Sequence, residues 1–286
     1  MKQLFDRLLP AAWRASAVTI PVVRLQGAIA SGGSRFRPGL SLESAAAAIE
    51  KAFAFKAAPA VAIALNSPGG SPVQSRLIYK RIRDLAEEKN KRVLVFVEDA
   101  AASGGYMIAL AGDEIIADPS SIVGSIGVVS AGFGFQELMA RIGVERRIHT
   151  AGDNKAILDP FQPERKEDVE RLKALQLEIH DIFIAMVKER RGAKLADAPD
   201  LFSGMFWTGG KALELGLVDA LGDMRAFLKG RYGDKTRLRL VAAPRGFLAR
   251  RLGLSRGAAG GEFAALAAEG LANAAQERAL WARLGL

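Results

Sequence analysis

The sequence predicts an α/β fold, and two observations predict it. Short apolar runs recur along the chain, the clearest being Ala60-Val61-Ala62-Ile63-Ala64-Leu65 and Arg92-Val93-Leu94-Val95-Phe96-Val97. Each run is followed by a turn and then a helical segment, and strands that alternate with helices pair in parallel. In chain order, an apolar run over 15–23 is followed by Arg24 and reads as the first strand, centred on Val22-Val23-Arg24-Leu25. Ser31-Gly32-Gly33-Ser34 reads as a mobile loop, leading to an alanine-rich helix over 42–55. The strand at 60–65 leads to a helix from about 71 to 89, and the strand at 92–97 to a helix through Met107, Ile108, Ala109 and Leu110. Strands at 114–117 and 126–129 follow, then a short helix near 136–142, a strand over 144–149 and a long charged helix over 163–191.

At 286 residues the chain can form one large domain with a substantial core, or a domain with an appendage. Half of the residues are apolar and a quarter charged, the balance of an ordinary globular protein. With no cysteine, disulfides and thiolate metal sites are excluded. No cluster of histidine and acidic residues has metal-ligand spacing. The net charge of +9 raises nucleic acid or an anionic membrane as partners. Its densest run, from Lys229 to Arg256, is interleaved only with Tyr232 and Phe247, too sparse for stacking on bases. Nucleic acid is therefore not expected, and a peripheral membrane contact stays open. No run approaches the roughly 20 apolar residues of a membrane span. The start of the chain, Met1 to Pro10, is amphipathic rather than a signal peptide.

The chemistry concentrates in two strand-to-helix turns. Asp99-Ala100-Ala101-Ala102-Ser103-Gly104-Gly105-Tyr106 sets a serine between a strand and a helix. Free backbone N–H groups there favour developing negative charge, and the glycines allow close approach of a substrate. That is the geometry of a nucleophile, although a plain helix N-cap has the same sequence signature. The second turn, Asn66-Ser67-Pro68-Gly69-Gly70, ends the preceding strand. Its glycines leave N–H donors unshielded, as an oxyanion hole requires; a tight turn without a ligand is the plainer alternative.

A serine nucleophile needs a base, and the chain has two histidines, His149 and His180. His180 lies within the long charged helix as an ordinary helix residue. His149 ends the strand over 144–149 and is one candidate. Lys155 is the other, because a lysine in an apolar site loses its proton more easily and can accept one from serine.

These residues resemble the signal peptide peptidase A family of S49-type serine peptidases, in its short single-domain bacterial form. The matching motifs are Asn66-Ser67-Pro68-Gly69-Gly70, Ala101-Ala102-Ser103-Gly104-Gly105-Tyr106 and Gly124-Ser125-Ile126-Gly127-Val128, then Gly152 with Lys155 ahead of Pro160. Trp207-Thr208-Gly209-Gly210-Lys211-Ala212 and Gly216-Leu217-Val218-Asp219 complete the series, in family order. The resemblance implies Ser103 as nucleophile, Lys155 as general base, Ser125 as the hydroxyl orienting that lysine, and Gly70 and Gly104 as oxyanion-hole donors. It narrows the fold to the superhelix of ββα repeats shared by Clp proteases and crotonases. It implies no cofactor or metal, peptide substrates, and a homo-oligomer whose sites are shared between subunits.

The expected domain limits are an amphipathic segment over 1–19, a peptidase domain over 20–243, and a basic linker with an amphipathic tail over 244–286. In that tail Gly257-Ala258-Ala259-Gly260-Gly261 reads as a linker, and Phe263, Leu266, Leu271, Trp281 and Leu284 fit one helix face. The usual family pattern has an N-terminal membrane anchor, which this sequence does not show. The expected location is therefore the cytoplasm, with peripheral attachment to the inner membrane open. The expected activity is cleavage of unfolded or membrane-derived peptides through an acyl-enzyme. The alternatives are a crotonase-like acyl-CoA enzyme, which would share the oxyanion glycines but supply a carboxylate, and a catalytically silent membrane-associated scaffold.

Overall fold

The computed structural model describes residues 17–31, 33–34, 37–241, 275 and 277–286. The segment over 1–16, the linker at 257–261 and the tail positions Phe263, Leu266 and Leu271 lie outside the described residues. Trp281 and Leu284 fall at the described end of the chain, where residues 277–282 are helical.

One mixed sheet organises the chain. Its strands run β10 (Arg237–Leu240), β1 (Thr19–Gln26), β4 (Ala60–Ser67), β5 (Arg92–Ala102), β6 (Glu114–Ala117) and β9 (Ala220–Leu221), each parallel to its neighbour. Two further strands, β7 (Ile122–Gly124) and β8 (Phe206–Thr208), pair antiparallel with each other, and β7 also pairs in parallel with the far end of β5. A small hairpin, β2 (Gly33–Ser34) with β3 (Arg37–Pro38), stands apart, where the sequence predicts only a loop.

The alternation in β4 explains the two faces. Val61, Ile63 and Leu65 enter the larger core cluster, while Ala60, Ala62 and Ala64 face a smaller one. A parallel strand covered on both sides must be apolar throughout, and all eight β4 residues are buried. The larger cluster packs beneath α1 (Leu42–Phe53), α2 (Pro72–Glu88), α3 (Gly104–Ala109) and the end of α5 (Lys166–Arg191). Further helices are α4 (Gln136–Arg141), α6 (Gly209–Glu214) and α7 (Met224–Tyr232). The alanine face leaves room for α7, whose Phe227 meets Phe96 edge-on at 5.6 Å. Ser41 opens α1 with a capping box to Ser44, and Ser71 with Pro72 opens α2, so each start follows from local sequence.

Two expected strands are displaced. The strand expected over 126–129 lies instead at Ile122–Gly124, because Gly124 and Ser125 both take positive φ and end the extended chain. Val144 to His149 forms no strand and is exposed throughout. Among the described residues no strand pairs with it, and an extended segment without a partner leaves its ladder groups to water.

Candidate active site

The length of β5 builds the site. Its first half pairs with β6, and Ala100, Ala101 and Ala102 then continue beside β7, so the strand delivers Ser103 past the edge of β6. This extension rests on Asn66 at the end of β4. Asn66 is 6% exposed, donates through Nδ2 to Asp99 Oδ2 at 2.6 Å, and accepts from the Ala100 amide at 3.1 Å. The β4–β5 register shifts between Leu65 and Ser67, and the Asn66 side chain bridges that irregularity.

Ser103 sits at φ 52°, ψ −122°, a strained backbone for a residue with a Cβ, costing on the order of 1–3 kcal/mol. The Ser103 amide donates to the Gly124 carbonyl at 2.8 Å, which fixes the turn. The plain N-cap reading fails here, since the hydroxyl makes no capping bond to α3. A half-buried serine on a strained strand-to-helix turn, with its hydroxyl uncommitted, is the arrangement of a nucleophile elbow. Behind it α3 is wholly buried, and Tyr106 donates to the Leu217 carbonyl at 2.7 Å. Burial pushes the Tyr106 phenol far above its ordinary range, so it remains a donor.

The Pro-Gly-Gly turn reaches the same point. Ile29 donates to the Gly69 carbonyl at 2.8 Å, and its carbonyl accepts from Ser71 at 2.7 Å, so this bridge straddles Gly70. The Gly70 amide is left without an acceptor among the described residues, as is the amide of Gly104 at the start of α3. The two lie side by side: a Cβ added at Gly104 would come 3.4 Å from the Gly70 nitrogen. A Cβ at Gly69 would come 2.8 Å from the Ser103 Cβ, and one at Gly70, at φ 139°, would run into the Ile29 carbonyl. Only glycine allows this approach.

Ser125 is carried to the same place. It follows Gly124, whose carbonyl holds Ser103, and its own amide donates to Met205 at 2.7 Å. Like Ser103 it is half-buried at positive φ (53°), and its hydroxyl has no bonded partner among the described residues.

Lys155 is placed differently. It lies in the turns that follow Gly152, exposed, with its amide donating to the Gly152 carbonyl at 3.2 Å. Its ammonium makes no hydrogen bond or ion pair among the described residues, and those residues do not supply the apolar setting expected from the sequence. The segment that precedes it is equally open: Val129, Phe133, Leu138, Ile142, Val144 and Ile148 are all exposed. The loop itself is anchored, for Arg171 donates to Asn154 at 2.7 Å and Arg165 holds Asp168 at 2.9 Å. The Arg165 hydrogen bond, aided by the Leu158 amide, keeps the Asp168 carboxyl below the usual carboxylate range. His149 is exposed on the same segment.

Two positions went unread in the sequence. Asn66 reads locally as a turn residue, yet its side chain clamps two strand ends. His180 reads as an ordinary helix residue, yet its Nε2 lies 3.0 Å from the Ile126 carbonyl, 54 positions away. Neither has a local signal, because each bond depends on distant segments meeting.

Over 287 residues the chain is 66% identical to a Brucella abortus (strain 2308) protein named as the Na(+)/H(+) antiporter NhaA, covering 99% of this chain and 39% of that protein. The chain thus spans well under half the length of that relative. A Synechocystis sp. protein described as a protease is 32% identical over 237 residues, covering 81% of this chain and 82% of that protein. Among solved structures, a mutant of the 1510-N membrane-bound stomatin-specific protease in complex with a substrate peptide superposes with a TM-score of 0.50 at 17% identity, covering 83% of this chain and 97% of that one. At that identity the likeness shows the fold alone, the α/β fold of the Clp protease type. The sequence profile of peptidase family S49 matches residues 86–231, spanning the serine turn, Ser125 and the Lys155 segment. With the strained serine and the facing glycine turn already in place, this match settles the family: the chain belongs to peptidase family S49, a family of serine peptidases.

Proposed function

We propose that this chain is the catalytic part of a serine endopeptidase acting on unfolded or membrane-derived peptides through a Ser103–Lys155 dyad. The observation that carries the reading is the meeting of the strained, uncommitted Ser103 with the free amides of Gly70 and Gly104. The Ser103 hydroxyl attacks the scissile carbonyl carbon while the neutral Lys155 amine takes its proton. The carbonyl oxygen becomes an oxyanion, and the Gly70 and Gly104 amides donate to it. As the tetrahedral intermediate collapses, the lysine ammonium returns the proton to the leaving amine, giving an acyl-enzyme. Water, deprotonated by the same lysine, then releases the acid. Ser125 orients the amine.

The exposed position of Lys155 and the exposed apolar residues of the segment before it support a homo-oligomer in which the lysine of one subunit serves the serine of its neighbour. Exposed apolar surface of this extent calls for a partner. Among the described residues no helix is long and apolar enough to cross a membrane. Any membrane contact of this part of the chain would therefore be peripheral or made outside those residues. The test is cleavage of a peptide library by the purified chain, with Ser103→Ala as control. Products from the wild type and none from Ser103→Ala support the proposal; equal cleavage by both would sink it.

A further inference from the structure

Besides burying Phe183, Met186 and Val187 in the larger core, helix α5 hydrogen-bonds backbone carbonyls of the catalytic half through two side chains among the described residues, Arg190 and His180. Near its end, Arg190 donates through Nε to the Leu110 carbonyl and through Nη2 to the Gly112 carbonyl, both at 2.9 Å. Those bonds satisfy carbonyls at the finish of α3. Further back, His180 reaches the Ile126 carbonyl at 3.0 Å. A carbonyl only accepts, so Nε2 carries the proton and donates. That carbonyl belongs to the turn which holds the nucleophile. Gly124 accepts from the Ser103 amide, Ser125 donates to Met205, and Gly127 donates back to Ser125 at 3.0 Å. The turn is irregular, with Gly124 at φ 112° and Ser125 at φ 53°, so no strand ladder fixes it beyond Gly124.

We propose that His180 is a positioning residue: by donating to Ile126 it locks the Gly124–Gly127 turn, and through it the backbone of Ser103 and the hydroxyl of Ser125. The inference rests on Ser103 being the nucleophile. Without the imidazole donor the Ile126–Gly127 peptide keeps only the Gly127-to-Ser125 bond, so its carbonyl loses its fixed direction and the turn that carries the Ser125 hydroxyl and the Gly124 carbonyl loosens. Reaction geometry suffers while substrate contacts stay. The setting tolerates substitution, because His180 lines an open cavity of about 220 Å³ with Val128, Lys173, Gln176 and Leu177. His180 is half-buried and makes no other side-chain hydrogen bond among the described residues.

The test compares His180→Leu, which fills the space without a donor, with His180→Gln, whose amide can donate. Loss of one such bond lowers kcat by about three- to tenfold with KM little changed in His180→Leu, and His180→Gln recovers most of it. Deuterium uptake read by mass spectrometry gives a second, activity-independent measure. Uptake over residues 122–128 rises in His180→Leu and not in His180→Gln, while β1 and β4 stay as in the wild type. Equal kcat and equal uptake in wild type and His180→Leu would overturn the inference, as would a loss that Gln fails to restore. Ser103→Ala, run alongside, separates the two readings: if it remains active, the dyad reading fails, and if it is dead while His180→Leu is normal, only the role of His180 fails.

Discussion

The two halves of the site are built in opposite ways. Residues 60–127 place Ser103, Gly70, Gly104 and Ser125 on strand ends and turns whose neighbours are buried, hydrogen-bonded and drawn from four strands and two helices. Residues 129–161 place Lys155 on turns and one short helix, with Phe133 81% and Ile142 62% exposed. In the first half, folding of one chain completes the geometry. In the second, the described residues present apolar surface and an unbonded amine but no walls. Under the proposed dyad, tertiary packing would preorganise the nucleophile Ser103, whereas the base Lys155 would be completed by contact with a neighbouring subunit.

The largest effect should come from the finished half. Ser103→Ala is expected to lower kcat by several powers of ten, since it removes the group that forms the acyl-enzyme. Far-UV circular dichroism should be unchanged, because the hydroxyl makes no structural bond. Nearly as large is the effect expected in the unfinished half. Lys155→Arg should be about as inactive as Lys155→Ala, for a guanidinium stays protonated and cannot accept a proton. Mixing inactive Ser103→Ala with inactive Lys155→Ala under subunit exchange should restore part of the activity if the lysine crosses between chains. No recovery with exchange demonstrated by labelled subunits would mean that each chain completes its own dyad, and the contrast between halves would lose its meaning.

A smaller effect sharpens the same contrast from the surface. Phe133→Asp should weaken self-association in sedimentation velocity and reduce activity with it. At so exposed a position the folding stability of the separated chain should change by no more than about 0.5 kcal/mol. A matched charge in the other half, Ile63→Asp, would instead unfold the chain.

The smallest effect concerns the frame. Burial disfavours the Asp219 carboxylate, but hydrogen bonds from Arg191, Lys194 and the Ile115 amide outweigh it and hold the group below the ordinary carboxylate range. A carboxyl lowered on folding contributes stability that is complete above its unfolded value of about 3.9 and is lost as pH falls through the folded one. The melting temperature should therefore hold from neutral pH to about 5 and fall below about 4. Asp219→Asn should show less of that fall, and an identical acid profile would remove Asp219 from the account.

The legibility of these features tracks the range of the interactions behind them. Strands β4 and β5 were readable because burial on both faces demands an unbroken apolar run. The starts of α1 and α2 were readable because Ser41 and Ser71 cap them from one position away. The turns at Asn66 and Ser103 carried a glycine signature that physical reasoning and family resemblance read alike. Val144 to His149 misled, because a β-branched residue at each end of a short run makes a strand only where a neighbouring edge pairs with it. The bonds of Asn66 to Asp99 and His180 to Ile126 were invisible, since nothing near either residue announces a partner.

By itself, then, the sequence determined the alternation of strands and helices, the two glycine-rich turns and the serine between strand and helix, all of which follow from local propensity and burial pattern. Only the tertiary structure decided that β5 outruns β6 to carry Ser103 beyond it, that Gly70 and Gly104 lie side by side, and that Lys155 stands exposed. Those outcomes depend on strand order, register and contacts between residues far apart in the chain, and no local pattern encodes which of the many possible long-range pairings buries the most apolar surface with every backbone group satisfied.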